Sequence, residues 1–410
     1  MTGYWIKWQR HLESHHMEDA QAHREPNLLS NSTAVAQILA AIPSEWVDSV
    51  LTSTCKHNQR ERDLPSRLMI YFPILLGLFM QLPYGEVFRR LQNGFEWLGL
   101  ETSEKLPSEA AMVKARQRLG FEPLKMLFER LIASTPTSDA PAARYRGLAL
   151  TAIDGCVLDL ENSKENAVFG FSRNEGGNGW YPQLRCVAVV NAYSRTLVDV
   201  EYGAVQGNCE QLLAEHVLAR LKEGTLNLAD RLYFSFKAWT IARSTGAHLL
   251  WRVKKDLKLT PCEILADGSY LSHVYEYDEG RHRTGNSTTV RVIEYKLTGG
   301  KETYRLVTTL LDCSRAPAEE LARLYPIRYW TSEGFIREIK TVLRQPRILL
   351  RSKSPAMVAQ ELYGLFVAHH VVRLLMLEAA EKHGRAPAEL SFTKTVYVVR
   401  RHLTESREFP

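Results

Sequence analysis

One carboxylate inside a strongly basic stretch is the feature of this sequence with the clearest chemical potential. The stretch Tyr325 to Lys353 holds seven basic residues and two acids, Glu333 and Glu338, in a chain whose total charge is only +6. On a helix, Glu333, Arg337 and Lys340 fall at positions i, i+4 and i+7, so they share one face. A carboxylate there can hold a divalent metal, and neighbouring cations can hold phosphates. Taken alone, the pattern also fits a solvated helix with ion pairs.

Two further acids follow predicted β-strands upstream of this stretch. Asp154 comes directly after the alternating segment Gly147–Ile153, and Asp230 comes directly after Thr225–Ala229. Between them the periodicity predicts two more strands and an amphipathic helix, at 184–190, 196–202 and 209–221. Strand, strand, strand, helix, strand is the opening of a ribonuclease-H-like sheet. In that arrangement both aspartates emerge at neighbouring points on one side of the sheet.

The three acids are the residue types that two-metal phosphodiester cleavage requires. Such a site brings carboxylates together so that two divalent ions lie about 3.5–4 Å apart. Hard ions such as Mg²⁺ take oxygen ligands, which Asp and Glu provide. A single Asp at the end of a strand is more often a turn or cap residue. Together, Asp154, Asp230 and Glu333 predict one metal cluster.

The order of the segments predicts several structural units in 410 residues. A polar, histidine-containing tail at 1–29 precedes a helical domain at 30–143, which a linker rich in Ser, Thr, Pro and Ala closes. An inserted β subdomain at 249–320 divides the core into 144–248 and 321–410, because the interval from Asp230 to Glu333 is longer than one crossover needs. The expected fold class is α/β: a ribonuclease-H-like catalytic core with an inserted β subdomain, preceded by an all-helical N-terminal domain.

Composition and motifs argue against several other classes of protein. The six cysteines are scattered without a C-x-x-C pair, so neither a zinc site nor a disulfide framework is indicated. The start lacks the apolar core of a signal peptide, and the longest apolar run, 68–80, contains Pro73 and is too short to span a bilayer. The glycine-rich loop at 174–179 lacks the P-loop pattern. We therefore expect a cytoplasmic protein with no membrane segment and no small-molecule substrate.

Several segments resemble DDE transposases of the insertion sequence 4 family. The resemblance runs from about residue 30 to residue 401. It rests on TAIDG around Asp154, GWYPQLRCVAVV after that acid, ADRLYF around Asp230, and the basic stretch. A helical N-terminal domain and a β insertion also belong to the family pattern.

The basic stretch matches the family signature with one departure. The signature is Tyr, two residues, Arg, three residues, Glu, six residues, Lys. Here Tyr325 and Arg328 have the right mutual spacing, and so do Glu333 and Lys340. However, four residues instead of three separate Arg328 from Glu333. On a continuous helix this surplus turns the two pairs by about 100° relative to each other.

We expect the surplus residue to be absorbed before the helix that carries Glu333. In this interpretation Tyr329 forms a loop or bulge, the helix begins near Thr331, and Trp330 is buried. Arg328 then lies in the loop, within reach of the site through its long side chain.

The resemblance implies metal-dependent chemistry on DNA. It implies that Asp154, Asp230 and Glu333 bind two Mg²⁺ ions, for which Mn²⁺ can substitute. A strand is hydrolysed at each end of a mobile element, and the freed 3′-hydroxyl then attacks another phosphodiester. The resemblance assigns DNA contacts to three residues, and charge and position lead us to add five more, giving Tyr325, Arg328, Lys340, Arg337, Arg344, Arg347, Arg351 and Lys353.

The implied partners are the terminal repeats of the element, target DNA, and a second copy of the chain when assembled on DNA. The implied compartment is the bacterial cytoplasm, in association with the nucleoid. Two other functions also fit the residues. A nuclease on the same sheet would cut without strand transfer, but the helical domain and the β insertion favour a transposase. A non-catalytic or decayed DNA-binding relative is favoured only by the surplus residue.

Overall fold

The computed structural model describes residues 41–60, 63–97, 106–136, 138–174, 177–206, 210–278, 282–296, 303–346 and 348–402. The predictions for the N-terminal tail and for Arg347 lie outside these residues.

The described chain begins with five helices, α1 (Ser44–Ser53), α2 (Ser66–Leu78), α3 (Tyr84–Trp97), α4 (Glu109–Leu119) and α5 (Glu122–Ser134). Ser108 caps α4, because its side chain accepts a hydrogen bond from the Ala111 N–H at 3.2 Å.

Five strands form the core of one large sheet. They are β2 (Leu148–Asp159), β4 (Gly177–Asn191), β5 (Leu197–Ala204), β6 (Thr225–Ala229) and β7 (His248–Arg252). Their order across the sheet is β5-β4-β2-β6-β7. β4 pairs antiparallel with β2 and β5, whereas β2, β6 and β7 run parallel. The short strands β1 (Arg144–Tyr145) and β3 (Phe171–Asn174) pair with β2 and β4. Each strand predicted upstream of Asp230 overlaps one of these core strands.

The predicted β insertion extends this sheet instead of forming a separate unit. β7, which we expected to open the insertion, pairs parallel with β6 and is the fifth core strand. The sheet continues from its free edge through β11 (Thr303–Thr308), β10 (Arg283–Lys296), β9 (Tyr270–Tyr277) and β8 (Glu263–Ile264). The boundary predicted at residue 249 therefore falls inside the core. The physical reason is that β7 would otherwise expose unpaired N–H and C=O groups, which β11 satisfies.

Helices cover both faces of the sheet. On one face, α6 (Glu210–Leu218) and α7 (Phe236–Ser244) pack around Trp239 and Trp251, whose rings meet edge to face at 5.4 Å. The core of the other face includes α8 (Ala318–Leu324), α9 (Ile327–Arg337), α10 (Pro355–Lys382) and α11 (Phe392–His402). The N-terminal helices belong to this second core. The helical segment therefore shares its apolar interior with the sheet.

α10 is the central helix of that second core. By length and composition its 28 residues could cross a membrane, but 89% of its most apolar stretch is buried inside the fold. His369 and His370, in the middle of the helix, are fully buried. His370 Nε2 lies 2.7 Å from the Thr135 hydroxyl at the end of α5. We conclude that α10 is a core helix that joins the N-terminal helices to the sheet.

A buried carboxylate fixes the C-terminal end of α9. Directly after α9 the backbone widens into a π-helical turn over Glu338–Leu343. Glu338, the first residue of this turn, is fully buried. Its carboxylate accepts hydrogen bonds at 2.9 Å from Arg373 Nε and His369 Nε2 of α10, and at 3.2 Å from Arg195 in the β4–β5 turn. The cluster ties α9 both to α10 and to the sheet.

Removing the charge of Glu338 should destabilise the fold strongly. Glu338→Gln would leave two arginines close together without their counter-charge, and we expect a loss of about 3–5 kcal/mol in the free energy of unfolding. Urea unfolding at neutral pH measures it. Glu319→Gln is a control, because Glu319 pairs with Arg323 on the exposed surface of α8. We expect that control to change stability by less than about 1 kcal/mol.

The same substitution should change the acid sensitivity of the protein. Burial acts to raise the pKa of Glu338, but the charge of Arg373 and the hydrogen bond from His369 lower it to about 2, from an ordinary value of 4.5. Because the folded-state pKa is lowered, the stabilisation is complete above the ordinary value and disappears as the pH falls toward 2. Wild type should lose more stability than Glu338→Gln over that range. Equal losses would show that Glu338 does not stabilise the fold through its charge.

Candidate active site

The register of two parallel strands brings Asp154 and Asp230 side by side. Ala152 of β2 lies opposite Leu228 of β6, and the two aspartates follow these residues at the same offset. Neighbouring strands are about 4.8 Å apart, and residues two positions along point to the same face. Asp154 and Asp230 therefore emerge next to each other, on the face that carries α9. The register is the one expected for the strands that precede these two acids, and the approach of their carboxylates stays a prediction.

Both carboxylate oxygens of Asp154 contact other groups of the protein. Its Oδ1 accepts a hydrogen bond from the Gly155 N–H at 2.9 Å and lies 3.5 Å from the Tyr233 hydroxyl. Its Oδ2 forms an ion pair with Arg328 of α9 at 3.3 Å. The side chain of Asp154 remains 21% exposed, so a ligand from solvent can reach it.

Asp230 lies where β6 has ended, and its surroundings fix the end of that strand. Its Oδ1 accepts a hydrogen bond from the Arg231 N–H at 2.7 Å. The hydroxyl of Tyr325 donates to the carbonyl oxygen of Ala229, directly before the acid, at 3.1 Å. Tyr325 is buried, and burial together with the negative charge of Asp230 raises its pKa, against the opposing effect of Arg328. In this structure Tyr325 supports the strand end from inside the fold.

The prediction of a loop at Tyr329 is wrong. α9 begins at Ile327, and the N–H of Tyr329 bonds to the carbonyl of Pro326 at 3.0 Å within the helix. Tyr325 and Pro326 already have helical backbone angles, so the chain between α8 and α9 offers no loop to take up the surplus. Trp330, which we expected to be buried, is 39% exposed. The surplus residue is part of the helix.

A continuous helix places Ser332, and not Glu333, on the face of Arg328. At 100° per residue, Ser332 lies about 40° from Arg328 around the helix axis and Glu333 about 140°. Arg328 also lies 3.4 Å from the Ser332 hydroxyl, and Ser332 is fully buried. Glu333 is exposed, on the same side of α9 as Tyr329 and Arg337. Arg328 nevertheless contacts Asp154, so the helix keeps this arginine at the site.

The residues present fit part of a divalent-metal site. Asp154 and Asp230 offer carboxylate oxygens, the donors that a hard ion such as Mg²⁺ prefers. Within the described chain, no three side chains of His, Cys, Asp or Glu stand close enough together to hold a metal ion. The cluster of Asp154, Asp230 and Glu333 therefore stays a prediction.

The predicted DNA-binding cations divide into two groups. Arg344 is buried, 3.5 Å from Asp159, and Arg351 donates to the carbonyl oxygens of Leu82 and Met80 at 2.7 and 2.6 Å. These two guanidinium groups are used inside the fold, so they do not form the solvent-facing run that we expected. Of the other described cations, Arg328 pairs with Asp154, and Arg337, Lys340 and Lys353 remain at least partly exposed.

Several residues around the aspartate pair were not predicted. Tyr233 contacts Asp154 and also donates to Glu210 of α6 at 2.6 Å. Tyr233 lies in the ADRLYF segment, so its position three residues after Asp230 was a usable signal. No sequence pattern marks Glu210 or Ser332 as a site residue, because only the packing of α6 and the rotation of α9 bring them to the site.

Comparison with known proteins gives concordant matches along the chain. The family described as "Insertion element 4 transposase N-terminal" matches residues 32–129, and "Transposase DDE domain" matches residues 146–370. The chain is 30% identical over 374 residues to "Transposase InsG for insertion sequence element IS4" of Escherichia coli (strain K12), covering 88% of this chain and 82% of that protein. It is 28% identical over 224 residues to "Putative transposase InsZ" of the same strain, covering 53% and 70%.

Among solved structures, a piggyBac transposase synaptic complex with hairpin DNA aligns with 92% of this chain and 80% of that one, at a TM-score of 0.45 and 12% identity.

Neutralising exposed and internal cations should have different effects on DNA binding. Replacing Arg337 and Lys353 by Gln should reduce the slope of log affinity against log salt by roughly 0.9 for each DNA phosphate that is no longer neutralised. Arg351→Gln should leave that slope unchanged and lower stability by about 1–3 kcal/mol, because two carbonyl groups lose their donor. Salt titrations of DNA binding and urea unfolding measure the two effects. A reduced slope for Arg351→Gln would place that guanidinium on DNA.

Proposed function

We propose that this chain, which belongs to the insertion sequence 4 family of DDE transposases, cuts DNA at the ends of its insertion sequence and joins the freed 3′-hydroxyls to another phosphodiester. The observation that carries the proposal is the pair Asp154 and Asp230 on neighbouring parallel strands, with Arg328 beside it. The strand order β5-β4-β2-β6-β7 supports a ribonuclease-H-like core around that pair.

Asp154, Asp230 and Glu333 would hold two divalent ions, Mg²⁺ or Mn²⁺, which activate the attacking oxygen and stabilise the leaving oxygen. Glu333 has no hydrogen bond or ion pair within the described residues, so no such contact holds its side chain in the exposed position. Arg328 neutralises Asp154 in the free protein. In the complex its guanidinium would move to a DNA phosphate, which it can bind through two parallel hydrogen bonds.

The exposed cations would hold the DNA on either side of the reacting phosphodiester. Arg337 and Lys340 follow Glu333 along the same helical segment, and Lys353 lies just before α10. Tyr325 would act indirectly, by fixing the end of β6 next to Asp230. A second copy of the chain would bind the other end of the element, and the protein would work in the cytoplasm on the nucleoid.

A second candidate function is DNA binding without cleavage. Two specific observations favour it: Glu333 faces solvent on the exposed side of α9, and Arg328 occupies the oxygen of Asp154 that a metal would need. A nuclease that cuts without joining is distinguished by its products.

Mapping of reaction products tests the proposal. Purified protein, Mg²⁺ and DNA carrying the element's own terminal repeats should give cuts at the element ends, followed by joined products. Asp154→Asn should abolish cleavage and leave DNA binding intact, because it removes a carboxylate and no cation. Asp139→Asn is the control, since Asp139 is an exposed acid paired with Arg144.

DNA binding without cuts by wild type would support the second candidate function. Cuts without joined products would support a nuclease. Persistent cleavage by Asp154→Asn would remove this acid from the reaction.

A further inference from the structure

We infer that Arg195, in the turn between β4 and β5, is a positioning residue that sets how closely α9 approaches the sheet, and that Gly334 is the point of α9 on which it acts. This inference rests on the proposed function for the part that α9 takes in cleavage. Three observations carry it: the rigidity of the turn, the contact of Arg195 with Gly334, and the place of that contact along α9.

The turn at 191–196 is a rigid extension of the sheet. The side-chain oxygen of Asn191 accepts two backbone N–H groups within the turn, at 2.9 and 3.0 Å. The N–H of Ala192 donates to the carbonyl of Leu150 in β2 at 2.9 Å. Arg195 has a φ of +56°, which residues with a side chain rarely adopt, and its N–H closes the turn on the Asn191 carbonyl at 2.9 Å. The turn therefore fixes the base of the Arg195 side chain relative to β2, the strand of the first aspartate.

The guanidinium of Arg195 lies against the backbone of α9 at Gly334. A Cβ atom on Gly334 would lie 2.7 Å from Cζ of Arg195 and 2.9 Å from both Nε and Nη1, closer than real Cβ atoms come to other atoms. The arginine side chain is 23% exposed, and its Nη1 also donates to the buried carboxylate of Glu338 at 3.2 Å. It cannot swing away from Gly334 without leaving that carboxylate. Arg195 therefore sets the closest approach of α9 to the turn.

The contact lies within the part of α9 that carries the site residues. Gly334 directly follows Glu333, and Arg328, which pairs with Asp154 at 3.3 Å, lies about 9 Å away along the helix. Helical hydrogen bonds keep this length of backbone rigid, so a displacement at Gly334 also moves both side chains. A misplacement of about 1 Å can slow a reaction about 10²-fold. Arg195 acts through α9 and does not itself contact the reacting groups.

A double-mutant cycle on the cleavage rate of terminal-repeat DNA tests the inference. Gly334→Ala should lower this rate at least about tenfold, because the added methyl group pushes α9 away from Arg195, and it should leave the affinity for DNA unchanged. Removing the guanidinium makes room for the methyl group. On the background of Arg195→Ala, Gly334→Ala should therefore lower the rate by less than about twofold. Equal fold-losses on the two backgrounds would overturn the inference.

A fluorine resonance at Trp330 reports the position of α9 whether or not the protein cleaves DNA. Trp330 lies on α9 and is 39% exposed. With 5-fluorotryptophan in the protein, Trp330→Phe assigns its resonance. We expect this resonance to shift in Gly334→Ala and in Arg195→Ala.

Gly85→Ala is the matched control. Gly85 also lies in a helix, α3, but a Cβ atom there would meet no atom closer than 3.4 Å. The control should leave the Trp330 resonance and the cleavage rate as in wild type. Arg195→Lys is a second variant that keeps a positive charge opposite Glu338 but lacks the planar guanidinium. It should shift the resonance and slow cleavage even if Gly334→Ala does not fold.

Wild-type resonance and cleavage rate in Gly334→Ala, or in Arg195→Lys if the first variant does not fold, would overturn the inference. A shifted resonance with an unchanged cleavage rate would also overturn it, because Arg195 would then stabilise the helix without positioning it for cleavage. Failure of the proposed function gives a different result, in which the Trp330 resonance shifts as expected but wild type does not cleave DNA.

Discussion

The buried charge of Glu338 sets the rotation of the helix that faces the aspartate pair. Desolvating a charge costs several kcal/mol per ion, so a buried carboxylate requires basic partners in good geometry. Arg195 reaches Glu338 across Gly334, where a Cβ would lie 2.7–2.9 Å from the guanidinium. Turning α9 about its axis would take Glu338 away from Arg373. The direction of every side chain on α9 follows from this constraint.

Two independent constraints therefore build the site. The parallel register of β2 and β6 brings Asp154 beside Asp230, and the Glu338 cluster decides which residue of α9 faces them. The basic stretch serves both folding and function. Its internal arginines join the N-terminal helices and the sheet to the basic segment, and its exposed cations stay available for DNA. The basic stretch therefore contains more cations than the number that can contact DNA.

The sequence predicted those parts of the fold and site that depend on local pattern. Alternating apolar residues located the strands before Asp154 and Asp230, and the order of strands and helix indicated that the two acids would be neighbours. Residues that depend on tertiary packing could not be predicted. The strands after β7 pair with its free edge and so join the main sheet, and Glu210 comes close to the backbone of β2 only because Gly155 has no side chain. A loop at Tyr329 would restore the family spacing, but the chain continues as helix from Tyr325, so the surplus residue lies within the helix.

The cleavage rate of terminal-repeat DNA by a variant lacking Tyr329 tests the rotation of α9 relative to the aspartate pair. With Glu338 holding the downstream register, the deletion should turn Arg328 by about 100°, off Asp154 and onto the face of Glu333. Because Arg328 and Tyr325 would leave the aspartate pair while Glu333 stays on the solvent face, we expect a folded variant whose cleavage rate is at least about tenfold below wild type, a change of roughly 1.4 kcal/mol. A folded deletion variant that cleaves as fast as wild type or faster would show that α9 does not present Arg328 to the pair.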